Sequence, residues 1–400
     1  MTRFIQPMIH QNLPIEFVSQ VDNPADAIAR WLDGAGLSRA LIVTNNSLSR
    51  GSGLGGDTLA VFQKELGERC VAVLPSVQAH TPYENVWSGV TLAKQSAADV
   101  LIAIGGGSVI DAAKIIQLAL NTEVETVAEL REYAQFSDGS RGPKAGSTLA
   151  RARPIRFLAV PTTLSGAEFS HSASALNTDT GAKEGYRDAI LCPQGVIYSP
   201  TVGESTPEWL WLSTAIRSLD HAIEGYCASN VYPYLEGQFL HAIRLFAEYL
   251  PTQKAAGTDF RDACSQLQQA VWLACSGLGR VRHGASHGIG YALGAQCGVP
   301  HGYTSCVMLP AVLEWNSSVN EGRQRAVAAA LGGGDSAAVL VRSLVKTLGL
   351  PSALPDVGVA KNQLIAIAEA SAEHKVVKAN PRPIRSAGDV MEILSIAWEG

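Results

Sequence analysis

The stretch "DVLIAIGGGSVIDAAKIIQLAL", residues 99–120, decides how this chain is read. Val100 to Ile104 is an unbroken apolar run, the pattern of a strand buried on both faces. Gly105, Gly106 and Gly107 end the run, and from Ser108 onward the apolar residues recur at helical spacing. Glycines between a buried strand and a helix let the backbone approach a phosphate. The helix then turns its free N–H groups and positive dipole end toward the anion. Asp111 falls in the first helical turns, placed to accept a hydrogen bond from a ribose or a nearby amide. A tight turn also calls for glycine, but three in this position favour phosphate binding.

The same alternation extends outward. "ALIVTNN" (40–46), "CVAVLPS" (70–76) and "IRFLAVPTT" (155–163) read as further buried strands, with helical spacing over 56–67, 81–97 and 108–120. Strand–helix–strand alternation predicts a parallel sheet covered on both faces, with ligands at the carboxyl ends of its strands. "EGYRDAILCPQGVIYSP" (184–200) reads as a last strand pair and a hinge. Beyond Pro200 the spacing predicts helices only: 207–228, 235–252, 258–279, 283–294, 305–318, 323–332, 335–348, 359–371 and 387–398. The expectation is an α/β Rossmann-like domain over 1–199 and an all-α domain over 200–400, with a ligand cleft between them. "GSGLGG" (51–56) matches GxGxxG formally, but it starts several residues after its strand, and no acidic residue ends the next one, so it reads as a connection. "VPTTLSGAEFS" (160–170) places Thr162, Thr163 and Ser165 at a strand end, where hydroxyls bind a ring amide or phosphate, or cap a helix.

Composition excludes several classes. Of 400 residues, 46% are apolar and 17% charged, enough for a large core. The net charge of −5 and the lack of a basic run argue against nucleic acid. No apolar run reaches the ~18 residues of a membrane span, and the opening "MTRFIQPMIHQNLP" has no signal-peptide core. The seven cysteines are scattered without CxxC spacing, as expected of reduced thiols in a cytoplasmic protein.

The second half carries a different signal. "STAIRSLDHAIEGY" (213–226) reads as a core helix, yet it holds Arg217, Asp220, His221 and Glu224. "HGASHGIGYALGAQCGVPHGYTS" (283–305) adds His283, His287 and His301, the first two one helical turn apart. Histidines from three segments point to a metal centre or to a hydrogen-bonded core. Trp209, Trp211, Tyr232 and Tyr234 either line an apolar pocket or belong to the core.

In combination, "GGGSVIDAAK", "PTTLSGAE", "HAIEGY", "LGAQCGVPHG" and "NPRPI" (380–384) resemble the iron-containing (group III) alcohol dehydrogenase superfamily over nearly the whole chain. "HTP" (80–82) and the residues around 217 look most similar to its maleylacetate reductase branch. The resemblance implies a nicotinamide cofactor, NAD(H) or NADP(H), bound by Gly105, Gly106, Gly107, Ser108, Asp111, Thr162, Thr163, Ser165 and Lys183. Asn45 occupies the position where an Asp excludes NADP in relatives, so a neutral side chain there tolerates either cofactor. Metal-dependent members ligate the ion with an Asp, a His four residues later and two further histidines fourteen apart. His221, His287 and His301 fit the histidine positions, and His283 lies outside the pattern. The Asp position is Arg217.

Arginine has no lone pair to offer and stays protonated. At ~4 Å and an effective dielectric near 20, its charge repels a cation by several kcal/mol. The expectation is therefore that the usual metal is absent and that Arg217 clamps a carboxylate or carbonyl-bearing small molecule. Asp220 points about 100° away from His221 and is expected to pair with a neighbouring Arg or Lys. Arg217, His221, His287, His301 and Tyr291, the last at a position where many members have His, are the candidate catalytic residues. A protonated histidine is expected to help stabilise the substrate oxygen. The activity this implies is NAD(P)H-dependent reduction of a carbonyl or an unsaturated keto acid, and, since members of the superfamily are often dimers, the resemblance implies a homodimer. Competing readings are a metal-dependent (Fe/Zn) alcohol dehydrogenase drawing a ligand such as His283, a non-redox lyase or cyclase, and a catalytically silent nucleotide-binding relative.

Overall fold

The structure is a computed structural model that describes residues 10–49, 54–136, 139–146, 154–253 and 260–400. Part of "GSGLGG" and residues 1–9 of the amino-terminal stretch lie outside the described residues.

Two compact units divide the chain. The first runs from Leu13 to Pro207, with Phe260–Ser265 added. Its six-stranded sheet contains β1 (Phe17–Gln20), β2 (Ala40–Val43), β3 (Cys70–Leu74), β4 (Val100–Gly105), β5 (Arg156–Pro161) and β8 (Gly195–Tyr198) in the order β1-β8-β5-β4-β2-β3. Every pairing in it is parallel. Its helices are α1 (Pro24–Ala35), α2 (Asn46–Ser49), α3 (Leu54–Leu66), α4 (Tyr83–Gln95), α5 (Gly107–Thr122), α6 (Val127–Arg131) and α7 (Pro200–Gly203). Successive strand residues go to opposite faces. Leu41, Val43, Leu101, Ala103 and Phe157 join one apolar cluster, while Ala40, Ile42, Ile102, Ile104 and Leu158 join another. Period-2 alternation thus hides inside continuous apolar runs, because both faces are covered.

From β2 the chain steps outward to β3, then returns to the other side of β2 for β4. The strand order reverses there, and in such sheets the reversal point opens a crevice at the carboxyl ends. Asn45 and the Gly105–Ser108 turn follow those two strands.

Residues 184–200 do not form the expected strand pair. β7 (Lys183–Arg187) pairs antiparallel with β6 (Ser172–Leu176) in a separate ribbon, while β8 joins the main sheet. The ribbon is anchored by a buried Glu184. It accepts two hydrogen bonds at 2.8 Å from Arg131 and one at 2.8 Å from Tyr83. Strand β1 is not among the expected elements, since it is short and only partly buried; helix α1 is also absent from them, although it carries an amphipathic pattern with Ala25, Ile28 and Leu32 buried.

The second unit holds residues up to Asn12, Glu208–Asp259 and Gln266–Gly400. Its described elements are α8 (Glu208–Cys227), α9 (Pro233–Thr252), α10 (Phe260–Cys275, whose first residues group with the α/β unit), α11 (Ala285–Cys297), α12 (His301–Ala330), α13 (Ala337–Thr347), α14 (Leu364–Ala372) and α15 (Ala387–Glu399). The two helices expected over 305–318 and 323–332 are one element that breaks at Asn320, where φ is −133° and ψ is 28°. Among the described residues no helix is long and apolar enough to cross a membrane, and all seven cysteines are free.

Glu168, between β5 and β6, is fully buried. Tyr198 donates to Oε1 at 3.0 Å, and Oε2 has no hydrogen-bond partner among the described residues. Burial lifts its carboxyl from the usual range near 4.5 to about 7, against the pull of its own backbone N–H, then of Tyr198 and Lys114. An acid whose pKa rises on folding favours folding while protonated, so its ionisation costs stability between about pH 4.5 and pH 7 and no further above that. Glu168→Gln should therefore gain on the wild type by up to about 3 kcal/mol as pH rises from 4.5 to 8, read from denaturation midpoints across that range. Parallel pH profiles for the two proteins would refute this.

Candidate active site

In the α/β unit, the carboxyl end of β4 carries the glycine turn. A Cβ at Gly105 would lie 2.6 Å from Val109 Cγ2, one at Gly106 3.0 Å from Thr163 Cγ2, and one at Gly107 3.4 Å from Ser165 Oγ. The turn is bare backbone because two neighbouring segments close on it, as a phosphate cradle requires. Gly106 caps α5 without a side-chain hydrogen bond. Ser108 Oγ accepts from the His80 N–H at 3.1 Å, and Ser108 O from Thr81 Oγ1 at 2.9 Å. His80 and Thr81 sit at φ 65° and 58°, strained values for side-chain-bearing residues that cluster at functional sites. Thr163 and Ser165 hydroxyls lie 3.2 Å apart. Asp111 takes the nearby-amide option, accepting from the Ser174 N–H at 3.1 Å. Asn45 accepts from Ser47 Oγ at 2.8 Å and from the Leu48 N–H at 3.3 Å, capping α2. Lys183 is exposed at the start of β7. These residues fit a phosphate-bearing nucleotide.

In the helical unit, the polar face of α8 meets the start of α11. Glu224 is the hub. Its oxygens accept from the backbone N–H groups of Gly284 (3.0 Å), Ser286 (2.9 Å) and His287 (3.3 Å), and from the Ala285 position Asn380 Oδ1 takes the remaining N–H at 3.2 Å. A carboxylate at the positive end of α11 satisfies donors that a helix start leaves orphaned. Glu224 Oε2 also lies 2.7 Å from His287 Nδ1, and His287 Nε2 lies 2.7 Å from His221 Nδ1. With Glu224 accepting, His287 carries its proton on Nδ1, and His221 donates from Nδ1 and keeps a lone pair on Nε2.

Asp220 is fully buried. Its Oδ2 accepts from Ser286 and Ser305, both at 2.7 Å, while Arg217 Nη1 is 3.9 Å away. The expected pairing with a basic neighbour is thus a longer contact to Arg217, with two serines taking the short bonds. Burial, then the nearby Glu224, pushes the Asp220 carboxyl up to about 8, against Arg217 and the serines. Arg217, 7% exposed, donates from Nη1 to Ser305 Oγ at 3.1 Å and lies over the Tyr291 ring at 5.8 Å. No hydrogen bond engages its Nε or Nη2 among the described residues. Burial pulls the pKa of His221 and His287 far below the usual imidazole range. Arg217 adds to the effect in both, and for His221 the His287 ring contributes ahead of it. Both rings rest neutral, so the protonated histidine expected from sequence is not the ground state at these two positions.

The structure regroups the histidines. His283, outside the expected pattern, packs on His287 and His221 with ring centroids 4.6 Å and 5.4 Å away. His301 is exposed and instead faces Tyr291, at 6.4 Å. Tyr291 also lies 5.6 Å from the ring of His374, a residue that no motif marks. The aromatic candidates have other partners: Trp211 donates to Gln253 at 3.1 Å, Trp209 stacks near Tyr303 and Tyr232 lies 2.6 Å from His10.

The four-ligand pattern of metal-dependent relatives does not fit this site. Position 217 offers a guanidinium, His301 stands apart, and His221 and His287 spend facing nitrogens on each other. Two other groups have ligand atoms within 4.8 Å of one another, His221 with His283 and His287, and Asp220 with Glu224 and His287. Arg217 lowers the proton affinity of all three histidines, and the same field opposes a cation.

The parallel sheet with its glycine turn in one unit, and the buried arginine and imidazole cluster in the other, are features of dehydrogenase-type enzymes. Residues 17–200 match the family described as iron-containing alcohol dehydrogenase, and residues 211–398 match the carboxyl-terminal part of the Fe-containing alcohol dehydrogenase family. The chain is 31% identical over 399 residues to dehydrogenase FUM7 of Gibberella moniliformis, covering 90% of each. It is 30% identical over 336 residues to maleylacetate reductase of Sphingobium indicum, covering 84% of each. Its fold is that of sulfoacetaldehyde reductase from Bifidobacterium kashiwanohense, solved in complex with NAD+, with a TM-score of 0.84 at 20% identity over 97% of this chain and 98% of that one. The chain belongs to the iron-containing alcohol dehydrogenase family, and it is an oxidoreductase.

Replacing Glu224 with Ala would strand three backbone N–H groups and the His287 imidazole. We expect Glu224→Ala to lose at least about 3 kcal/mol, with Glu224→Gln losing less because it keeps one acceptor oxygen. A calorimetric midpoint for Glu224→Ala within a degree of the wild type would contradict the capping role.

Proposed function

We propose that the chain is a metal-independent, NAD(P)H-dependent reductase of a carbonyl-bearing or unsaturated keto acid. The observation that carries this reading is Arg217, a buried guanidinium with part of its donor fork uncommitted, at the position where metal-dependent relatives place a carboxylate ligand. The similarity to a maleylacetate reductase supports the same substrate class.

The glycine turn with Thr162, Thr163 and Ser165 would hold the dinucleotide, which supplies the hydride. Asn45 places no negative charge after β2, so either cofactor form is accepted. The remaining work falls to the chain's own groups. Arg217 presents a planar pair of N–H donors suited to a carboxylate or to an oxygen gaining negative charge. It is preorganised, since Ser305 and the Tyr291 ring hold it and burial reduces screening, so it stabilises that charge without reorganising. His221 is oriented through His287 by Glu224 and keeps the Nε2 lone pair as an acceptor. Tyr291 and His301 are the exposed members and exchange a proton with solvent.

The grouping of His221, His283 and His287 favours a second reading, a metal-dependent alcohol dehydrogenase. Metal analysis after dialysis separates the two: stoichiometric iron or zinc, with activity lost to chelator, selects the second. Under the first, Arg217→Ala should lower kcat/KM for an acidic substrate by about 10²–10³-fold, with chelator changing nothing. Activity surviving Arg217→Ala, or surviving Arg217→Asp without a newly gained metal requirement, would defeat the clamp. Gly106→Val, which drives a branched side chain against Thr163, should weaken NADH and NADPH binding at least tenfold in a fluorescence titration. Unchanged affinity would remove the turn from the cofactor site.

A further inference from the structure

Lys114, on α5 two turns beyond Gly107, has no exposed surface. Its Nζ donates to three main-chain carbonyls, Ala167 at 2.7 Å and Ser170 and Ser172 at 2.8 Å each. Three acceptors are the full complement of an ammonium. A neutral amine would aim its lone pair at one of those oxygens, so the geometry selects the charged form. Asp111 Oδ1, 4.0 Å away, is the counter-charge one turn back. Buried charges are seldom better for stability than apolar residues of the same volume, so the arrangement calls for another purpose.

All three carbonyls belong to the segment that leaves β5 and enters β6. That segment also closes on the glycine turn, where a Cβ at Gly106 would meet Thr163 and one at Gly107 would lie 3.4 Å from Ser165 Oγ and 3.7 Å from Ala167 Cβ. One ammonium on α5 therefore fastens, from behind, the loop that faces the start of α5. Fixing both walls from the same helix sets their separation.

We propose that Lys114 is a positioning residue for the dinucleotide phosphates, its ammonium holding the 163–172 segment at the spacing from the glycine turn that grips them. This rests on the dinucleotide reading above. Without the three contacts the segment draws away and the cradle widens, while the sheet beneath keeps its own core.

The test uses the full chain with Lys114→Met and Lys114→Gln, the second retaining two N–H donors. NADH and NADPH binding is followed by fluorescence titration, and backbone opening by amide hydrogen exchange without ligand. The expected result for Lys114→Met is at least tenfold weaker binding of the preferred cofactor, with faster exchange confined to 163–172 and unchanged exchange in 100–104. Lys114→Gln should fall between that variant and the wild type. Unchanged affinity overturns the proposal, as does exchange that accelerates evenly across the α/β unit, the mark of a purely structural residue. If Lys114→Met does not fold, Lys114→Gln decides by the same criteria, and failure of both to fold also overturns it. A wild type that binds neither cofactor sinks the dinucleotide reading itself. Normal wild-type binding with normal variant binding sinks only the role of Lys114.

Discussion

The helical unit's site hangs on one carboxylate. Glu224 meets the amino-terminal N–H groups of α11 and His287 Nδ1 at once, so a single side chain both ends the orphaning of a helix start and sets an imidazole's tautomer. His287 in turn orients His221. Packing allows this because the backbones approach closely. Position 284 has no room for a side chain between Asn380 and Glu224, and a Cβ at Gly302 would lie 2.7 Å from the Ser213 carbonyl carbon. Helices α8, α11 and α12 are drawn together by small residues, and the polar groups they trap must satisfy one another.

Arg217 changes what that cluster can do. Iron-dependent chemistry needs anionic and neutral donors converging on a cation. Under the function proposed above, a buried guanidinium among neutral imidazoles would instead favour an anion. Burial keeps His221 and His287 unprotonated, and the Arg217 charge that adds to this effect is the one the proposed function uses for a carboxylate. Asp220 lies near, at 3.9 Å, but burial lifts its carboxyl to about 8, so near neutral pH it is largely protonated, held by two serines, and does not cancel the Arg217 charge.

Much of the α/β unit was legible because its strands are continuous apolar runs and its turns are marked by glycine. The glycine turn, the strands around it and most helices fall within a few residues of where the periodicity puts them. β1 escaped because a short, partly exposed edge strand carries no such run. The ribbon formed by β6 and β7 escaped because its pairing depends on Glu184, Arg131 and Tyr83, which lie far apart in the chain. In the second unit, the spacing of His221, His287 and His301 suggested one cluster. The fold brings His283 into it and leaves His301 at the rim, because α11 begins at Ala285 and α12 begins at His301 itself. His374 carried no signal, since only the contact with Tyr291 marks it.

By itself, the order of residues determined the strand–glycine–helix turn, the alternation that forces a parallel sheet, and the presence of arginine where relatives carry a metal-binding carboxylate. These are local facts, set by apolar periodicity, by the missing Cβ of glycine and by the fixed charge of a guanidinium. Which imidazoles touch, which carboxylate caps α11 and which carbonyls surround Lys114 were decided only by the tertiary structure. Each of those contacts joins segments many residues apart, and burial, which sets their protonation, does not exist until the chain has packed.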